Sequence, residues 1–207
     1  MDSTVLTALV IVLAAFLIAC GVQLWPTYRG TIYQELFSSF LEYFWRMRFK
    51  HDLSASSYLK SRIGNHRIVY NAAVGRNGAK LADFITVFSE HGFISICSLP
   101  YSGDISSAAG NGKWKVTQQG KAVRIPSPLL LVAQQKQFLR KTLGDKVPVK
   151  YEIAFGNGSA LEHVGSPVPV KTAKGAVQDF CDMREGGIGP DEVAKAFDLF
   201  RERCTND

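Results

Sequence analysis

Between Thr4 and Trp25 the chain has no charged side chain. That absence excludes an ordinary surface helix, whose outer face must be polar. Only Thr4, Thr7 and Gln23 are clearly polar there. An apolar run of about 20 residues is long enough to cross a bilayer core as a helix. Lysine and arginine are also missing ahead of the run, where Asp2 is the only charge. A cleaved secretory signal carries a basic segment at that place, so the run reads as an uncleaved anchor. Paired cysteines are lacking too. Cys20, Cys97, Cys181 and Cys204 form no CxxC and no Cys/His ligand spacing. With Cys20 inside the apolar run, the remaining three do not make a disulfide framework, and the usage suits a reducing compartment. No internal repeat or long low-complexity tract occurs.

What is present fits one globular domain with a short appendage: 207 residues, 46% apolar and 20% charged. The formal net charge is +6, and almost all of it lies beyond the apolar run. A basic domain meets nucleic acid or an anionic lipid surface, or is simply kept soluble by its charge. Arg29, Arg46, Arg48 and Lys50 follow the run. By the positive-inside rule the N-terminus faces out and the rest of the chain faces the cytoplasm. Trp25 and Tyr28 fall where interfacial aromatics belong. Leu17-Ile18-Ala19-Cys20 resembles a bacterial lipoprotein cleavage box, which would place the domain outside. The missing basic segment before the run and the basic flank after it argue for the anchor instead.

Residues 28–50 are unusually aromatic, with Ile32, Leu36, Phe40, Phe44 and Met47 at helical spacing and Arg46, Arg48 and Lys50 at the end. This predicts a helix lying on the cytoplasmic membrane surface, aromatics inserted and basic residues on lipid phosphate. The competing expectation is a linker helix packed on the domain or on a second copy.

Beyond it, Ser54–Ile63 reads as a short helix capped by Ser54 or Ser56, and His66–Tyr70 as a strand. Phe84–Phe88 and Phe93–Ile96 are apolar runs around the turn Ser89-Glu90-His91-Gly92. Ser106–Gly112 is a polar loop, and Lys113–Gln118 and Lys121–Ile125 form a hairpin around Gln119-Gly120. Pro128 opens a helix to Leu143, with Leu131, Gln135, Phe138 and Leu139 on one face. Val149–Phe155 is a strand, 156–166 a loop and Val168–Val170 a short strand. Thr172 caps a helix to Met183, and 186–189 is a glycine-rich joint. A last helix from Pro190 points Val193, Ala196, Phe197 and Phe200 inward. The order predicts an α/β fold, a mixed sheet flanked by helices.

Metal-dependent phosphodiester cleavage needs carboxylates converging on a divalent cation and a lysine near the attacking water. One arrangement has Asp at the start of a strand and Glu-x-Lys in the next strand of the hairpin. Here Ala82-Asp83-Phe84 is followed by the apolar strand, Gly92, the second strand, Cys97-Ser98-Leu99-Pro100 and Tyr101-Ser102-Gly103. In frame and order this resembles the nuclease-related domain (NERD) family, a branch of the restriction-endonuclease-like fold. Trp114, Pro128 and its helix, Val149–Phe155 and Val168-Pro169-Val170 follow in the family's order. The resemblance covers about residues 54–184.

The departures decide the expected activity. Asp83 matches the family's metal-binding Asp. Cys97 stands at the Glu position and Leu99 at the Lys position. Phe84, Ser127 and Leu131 replace further family residues. One carboxylate holds Mg²⁺ poorly, and leucine cannot replace the lysine. The resemblance therefore implies a degenerate site (Asp83, Cys97, Leu99), with no catalytic residues, no cofactor and no resident metal. The expected protein is a single-pass anchor of the bacterial inner membrane with a cytoplasmic binding or scaffold domain. Its expected partners are the membrane, other proteins of a membrane complex, and nucleic acid. The segments are an anchor at 1–27, a juxtamembrane helix at 28–52, the NERD-like domain at 53–185 and a C-terminal helix at 186–207. One alternative is a Mg²⁺-dependent nuclease with a rearranged site, drawing on Glu90, Asp104, Lys113 or Lys115. Another is nucleic-acid binding without cleavage, through Lys113, Lys115, Lys121, Arg124, Lys136, Arg140 and Lys141.

Overall fold

A computed structural model describes residues 3–75, 77–107, 112–145, 147–183 and 187–206. The apolar run forms α1, Ser3–Tyr28, with Pro26 inside its last turn. By length and apolarity Val5–Tyr28 is able to cross a membrane, and it is almost wholly uncovered by protein. One stripe near its end, Cys20, Gly21, Leu24 and Tyr28, is partly or fully covered.

The aromatic segment is not one helix. It breaks into α2 (Ile32–Leu36), α3 (Phe40–Trp45) and a π-helical turn (Arg46–Lys50). The break has a local cause. Ser39 is extended and caps α3 by accepting from the Glu42 N–H. Leu36, spaced as if for the lipid face, is buried in the protein with Ile32, Phe37 and Tyr43. The segment thus packs on the domain along its first half, as the competing expectation had it. Only Leu41, Trp45, Met47 and Phe49 remain outside among its large apolar side chains.

Then come α4 (Ser57–Ile63), capped by Ser56, and β1 (His66–Val74). The predicted hairpin is β2 (Lys80–Ser89) and β3 (Gly92–Ser98), in register from Asp83–Ser98 to Ser89–Gly92. Tyr101-Ser102-Gly103 separates β3 from β4 (Asp104–Ser106). The second hairpin is β5 (Trp114–Gln118) and β6 (Lys121–Ile125). Next are α5 (Pro128–Leu143), β7 (Val149–Phe155), β8 (Ala160–His163), β9 (Val170–Thr172), α6 (Ala173–Asp182) and α7 (Pro190–Asn206).

The strands form two sheets rather than one. The larger runs β1-β2-β3-β7-β9, antiparallel through β3 and parallel from β3 to β9. The smaller runs β6-β5-β4-β8. β8 was expected within the 156–166 loop, and β4, running into the expected loop at Ser106, was not expected. They are short and polar, and their ladder partners are distant in sequence, so local pattern carries little signal of them. The sheets are mixed and flanked by helices, as expected.

Alternation along the large sheet sends apolar side chains to both faces. Ile68, Ile85, Val87, Ile94 and Ile96 face α2, α4 and α6. On the other face, Phe84, Cys97, Ile153 and Phe155 meet Trp114 and Val116 of the small sheet and Leu131 of α5. Phe88 and Phe93 continue that face into Phe197 and Phe200 of α7. Arg76, Gly110, Lys146, Gly186 and part of the 106–112 loop lie outside the described residues.

Candidate functional site

Asp83, Cys97 and Leu99, expected from the resemblance to mark a degenerate site, lie at the open end of the β2–β3 hairpin. Cys97 pairs across the ladder with Phe84, and both join the apolar cluster around Trp114. Cys97 is 0% and Leu99 4% exposed. Burial, with a smaller contribution from Asp83, pushes the Cys97 thiol up to about 12. It is a buried thiol, not a nucleophile. The Trp114 ring stacks on Phe155 at 6.1 Å and closes this surface.

Asp83 does not join them. It pairs with Ser98, one residue out of step with Cys97, so its side chain emerges on the opposite face. There Lys80 Nζ lies 2.7 Å from Oδ1, and the Tyr33 hydroxyl donates to Oδ2 at 3.3 Å. Tyr33 stacks on Tyr70 at 5.9 Å. Burial first, and Asp83 second, raise the Tyr33 pKa. Asp83 therefore ties the aromatic segment to the sheet. Among the described residues no group of three His, Cys, Asp or Glu side chains is placed to share a metal ion.

The hairpin's polar residues form a closed seam instead. Thr86 and Ser95 hydroxyls bond at 3.0 Å in full burial. Gln135 of α5 accepts from Asn71 Nδ2 at 3.1 Å, and its Nε2 reaches Ser95. The Gln135 position was expected on the inward face of its helix. Its partners were not foreseeable, because they come from two strands distant in sequence, β1 and β3. An open groove of about 540 Å³ runs beside this seam between Asn71–Val74 and Gln134–Phe138. Glu152 on β7 is buried facing α6. Burial raises its pKa against the pull of Lys171, which lies 3.9 Å away and also pairs with Asp179.

The basic candidates separate into distinct places. Lys115 and Arg124 are cross-strand partners, and Ser106 pairs with Lys115 from the other side. With Lys113 and Ser107 they line an open groove of about 500 Å³ on the small sheet. Lys121 sits at the hairpin end of β6. Lys136 and Arg140 line a second groove of about 250 Å³ between α5 and the start of β7. There Lys136 lies over the Tyr151 ring and Arg140 pairs with Asp145. Lys141 lines another surface, beside α7. Arg46 is held by Glu42 at 3.1 Å. Arg48 and Lys50 are exposed at the end of the π-helical turn. His91 sits at the β2–β3 turn, and Glu90 and Asp104 lie at separate strand ends. No regrouping of these charges around Asp83 is present among the described residues.

The fold and its buried hairpin define an α/β protein with mixed sheets flanked by helices and one apolar N-terminal helix. No protein-family model, curated protein or solved structure matches the chain.

Proposed function

We propose that this chain is a non-catalytic binding or scaffold module of nuclease-related (NERD-like) descent. In this reading α1 anchors it in a bacterial inner membrane, N-terminus outside and domain in the cytoplasm. The observation that carries the reading is the closed apolar surface at Cys97 and Leu99, with Asp83 turned to the other face. A metal-bound phosphodiester has no polar wall to enter there. The restriction-endonuclease-like assignment draws support from the order of parts. Helix α4, the Asp-bearing hairpin, helix α5 and strand β7 follow one another, and the strands lie side by side in one mixed sheet. The orientation draws on the basic residues that follow α1.

Incubation of the purified full chain in detergent with Mg²⁺ or Mn²⁺ and DNA or RNA is the direct test. No cleavage is expected. Cleavage abolished by Asp83→Ala would overturn the non-catalytic reading. Alkaline carbonate extraction and protease protection test the anchor and its orientation.

A second reading, nucleic-acid binding without cleavage, is favoured by the small-sheet groove. Lys113, Lys115 and Arg124 converge there with two serine hydroxyls and form no ion pair among the described residues. Such binding falls steeply with salt, each lost phosphate contact lowering the slope by about one. Fluorescence anisotropy with a labelled oligonucleotide measures it. Unchanged affinity in Lys115→Glu/Arg124→Glu rejects this surface.

A further inference from the structure

The aromatic segment does not simply follow the apolar helix; it folds back along it. Phe40, at the start of α3, meets Trp25 at 5.1 Å and Tyr28 at 5.3 Å between ring centroids. Further on, the Arg48 guanidinium lies 5.7 Å over the Phe16 ring. The arm Phe40–Lys50 thus runs antiparallel to the second half of α1. Its basic tip stands level with the middle of the apolar run. From Phe16 to Tyr28 is about 18 Å of helix.

This placement bears on where the bilayer lies. A core centred on Val5–Tyr28 would hold Arg48 near the midplane. A charged centre there is disfavoured about a hundredfold in partition. Moving the core toward the N-terminus removes the conflict. Residues 3–20 supply about 27 Å of helix, close to a core of about 30 Å. Arg48, over Phe16, then lies about 6 Å inside the core's cytoplasmic edge, within reach of the headgroups for a long basic side chain. Trp25 and Tyr28 lie beyond it, where Tyr28 is already buried against the domain.

The surface chemistry of the tip agrees. Trp45 is 51% and Phe49 46% exposed, their rings 4.7 Å apart, and Met47, between them in sequence, is exposed too. Ile18 and Val22 of α1 are exposed as well. Arg48 and Lys50 form no ion pair among the described residues. Aromatics beside unpaired cations suit the boundary between acyl chains and anionic headgroups.

We propose that the arm Phe40–Lys50 is seated in the cytoplasmic leaflet of an anionic membrane. Trp45, Met47 and Phe49 enter the acyl boundary, and Arg48 and Lys50 bind lipid phosphates. The seat sets the leaflet surface level with Leu17–Gly21 of α1. The inference rests on α1 being a membrane anchor.

The test uses the full chain in phosphatidylcholine vesicles containing phosphatidylglycerol. Trp25→Phe leaves Trp45 and the fully buried Trp114 as emitters. Subtracting the spectrum of Trp25→Phe/Trp45→Phe isolates Trp45. The expected result is quenching of Trp45 by lipids brominated high on the acyl chain, and none by aqueous iodide. Replacing Arg48 and Lys50 by Gln lowers the partition of the arm about fivefold for each cation. Iodide quenching without bromolipid quenching, in a chain that resists carbonate extraction, overturns the arm's seat and leaves the anchor standing. Protection from both quenchers points to a protein contact and also overturns it. Bromolipid quenching unchanged by the Gln variants overturns the role of the phosphates. Release of the chain by carbonate removes the anchor itself.

Discussion

At the scale of single residues, neighbours rather than residue type decide chemistry. Along the chain Cys97 is a thiol at the end of an apolar strand, where sequence alone leaves its reactivity open. In the fold it is a small apolar side chain among Phe84, Trp114 and Phe155. Its thiol, pushed up to about 12, stays protonated at any pH where the protein is handled. Cys97 is therefore expected to resist iodoacetamide at pH 8 in the native chain and to react only on unfolding, as peptide mass mapping would reveal. Labelling of the native chain at the rate of a free thiol would contradict its burial.

Glu42 is the opposite case, an acid held ionised. Burial opposes its charge. The Ser57 and Ser38 hydroxyls and N–H groups outweigh that and bring it to about 2, against an ordinary 4.5. Ser57 Oγ donates at 2.5 Å and Ser38 Oγ at 2.7 Å. Because the folded value is depressed, its contribution is full above the ordinary value and is lost as pH falls toward about 2. Glu42→Gln is expected to cost roughly 2 kcal/mol at pH 7. In urea titrations the gap between the two proteins should narrow at pH 3. An equal gap at both values would remove Glu42 from the tie between the arm and α4.

At the scale of elements, the Tyr101-Ser102-Gly103 break shows what a short motif is for. Gly103 has φ +119, and a Cβ there would run into the Thr117 carbonyl of β5. The chain can enter β4 and pair with β5 here only if this residue has no side chain. Gly103→Ala is expected to destabilise the protein by about 3 kcal/mol, combining backbone strain with a clash against main chain. Thermal unfolding gives the value; a change under 1 kcal/mol would mean that the small sheet shifts freely. The long, strongly patterned elements β2, β3, β5, β6, β7, α5 and α6 could be read from the sequence. Their apolar periodicity, caps and turn residues are local signals. The aromatic segment was not legible in this way. Its spacing suits one helix, but Ser39 caps a new one, and Leu36 and Phe37 are drawn into the domain.

At the scale of the whole molecule, the last helix belongs to the domain rather than to a separate tail. Phe200 is fully buried and meets Phe88 of β2 and Phe138 of α5 at 5.8 and 5.6 Å between centroids. Phe200→Ala is expected to cost about 3–5 kcal/mol in a single cooperative transition. A variant in which α7 alone melts, leaving the main transition in place, would mark 186–207 as independent. The seven basic residues that adjoin in sequence show the same dependence on the whole fold. They are divided between the small sheet, the α5–β7 groove and the α7 side.

The sequence alone determined what depends on neighbours a few positions apart. The uncharged run became α1, the hairpin took its register, and Pro128, Thr172 and Pro190 opened or capped their helices. It also put Cys97 near the end of the second hairpin strand and Leu99 just beyond it. Only the tertiary structure decided what depends on contacts between distant parts. It divided the strands into two sheets, since β4 pairs with β8 more than fifty residues away. It put Asp83 and Cys97 on opposite faces, through a one-residue offset across a ladder. And it folded the basic arm back beside Phe16. That step rests on side-chain contacts between segments far enough apart that no local pattern encodes it.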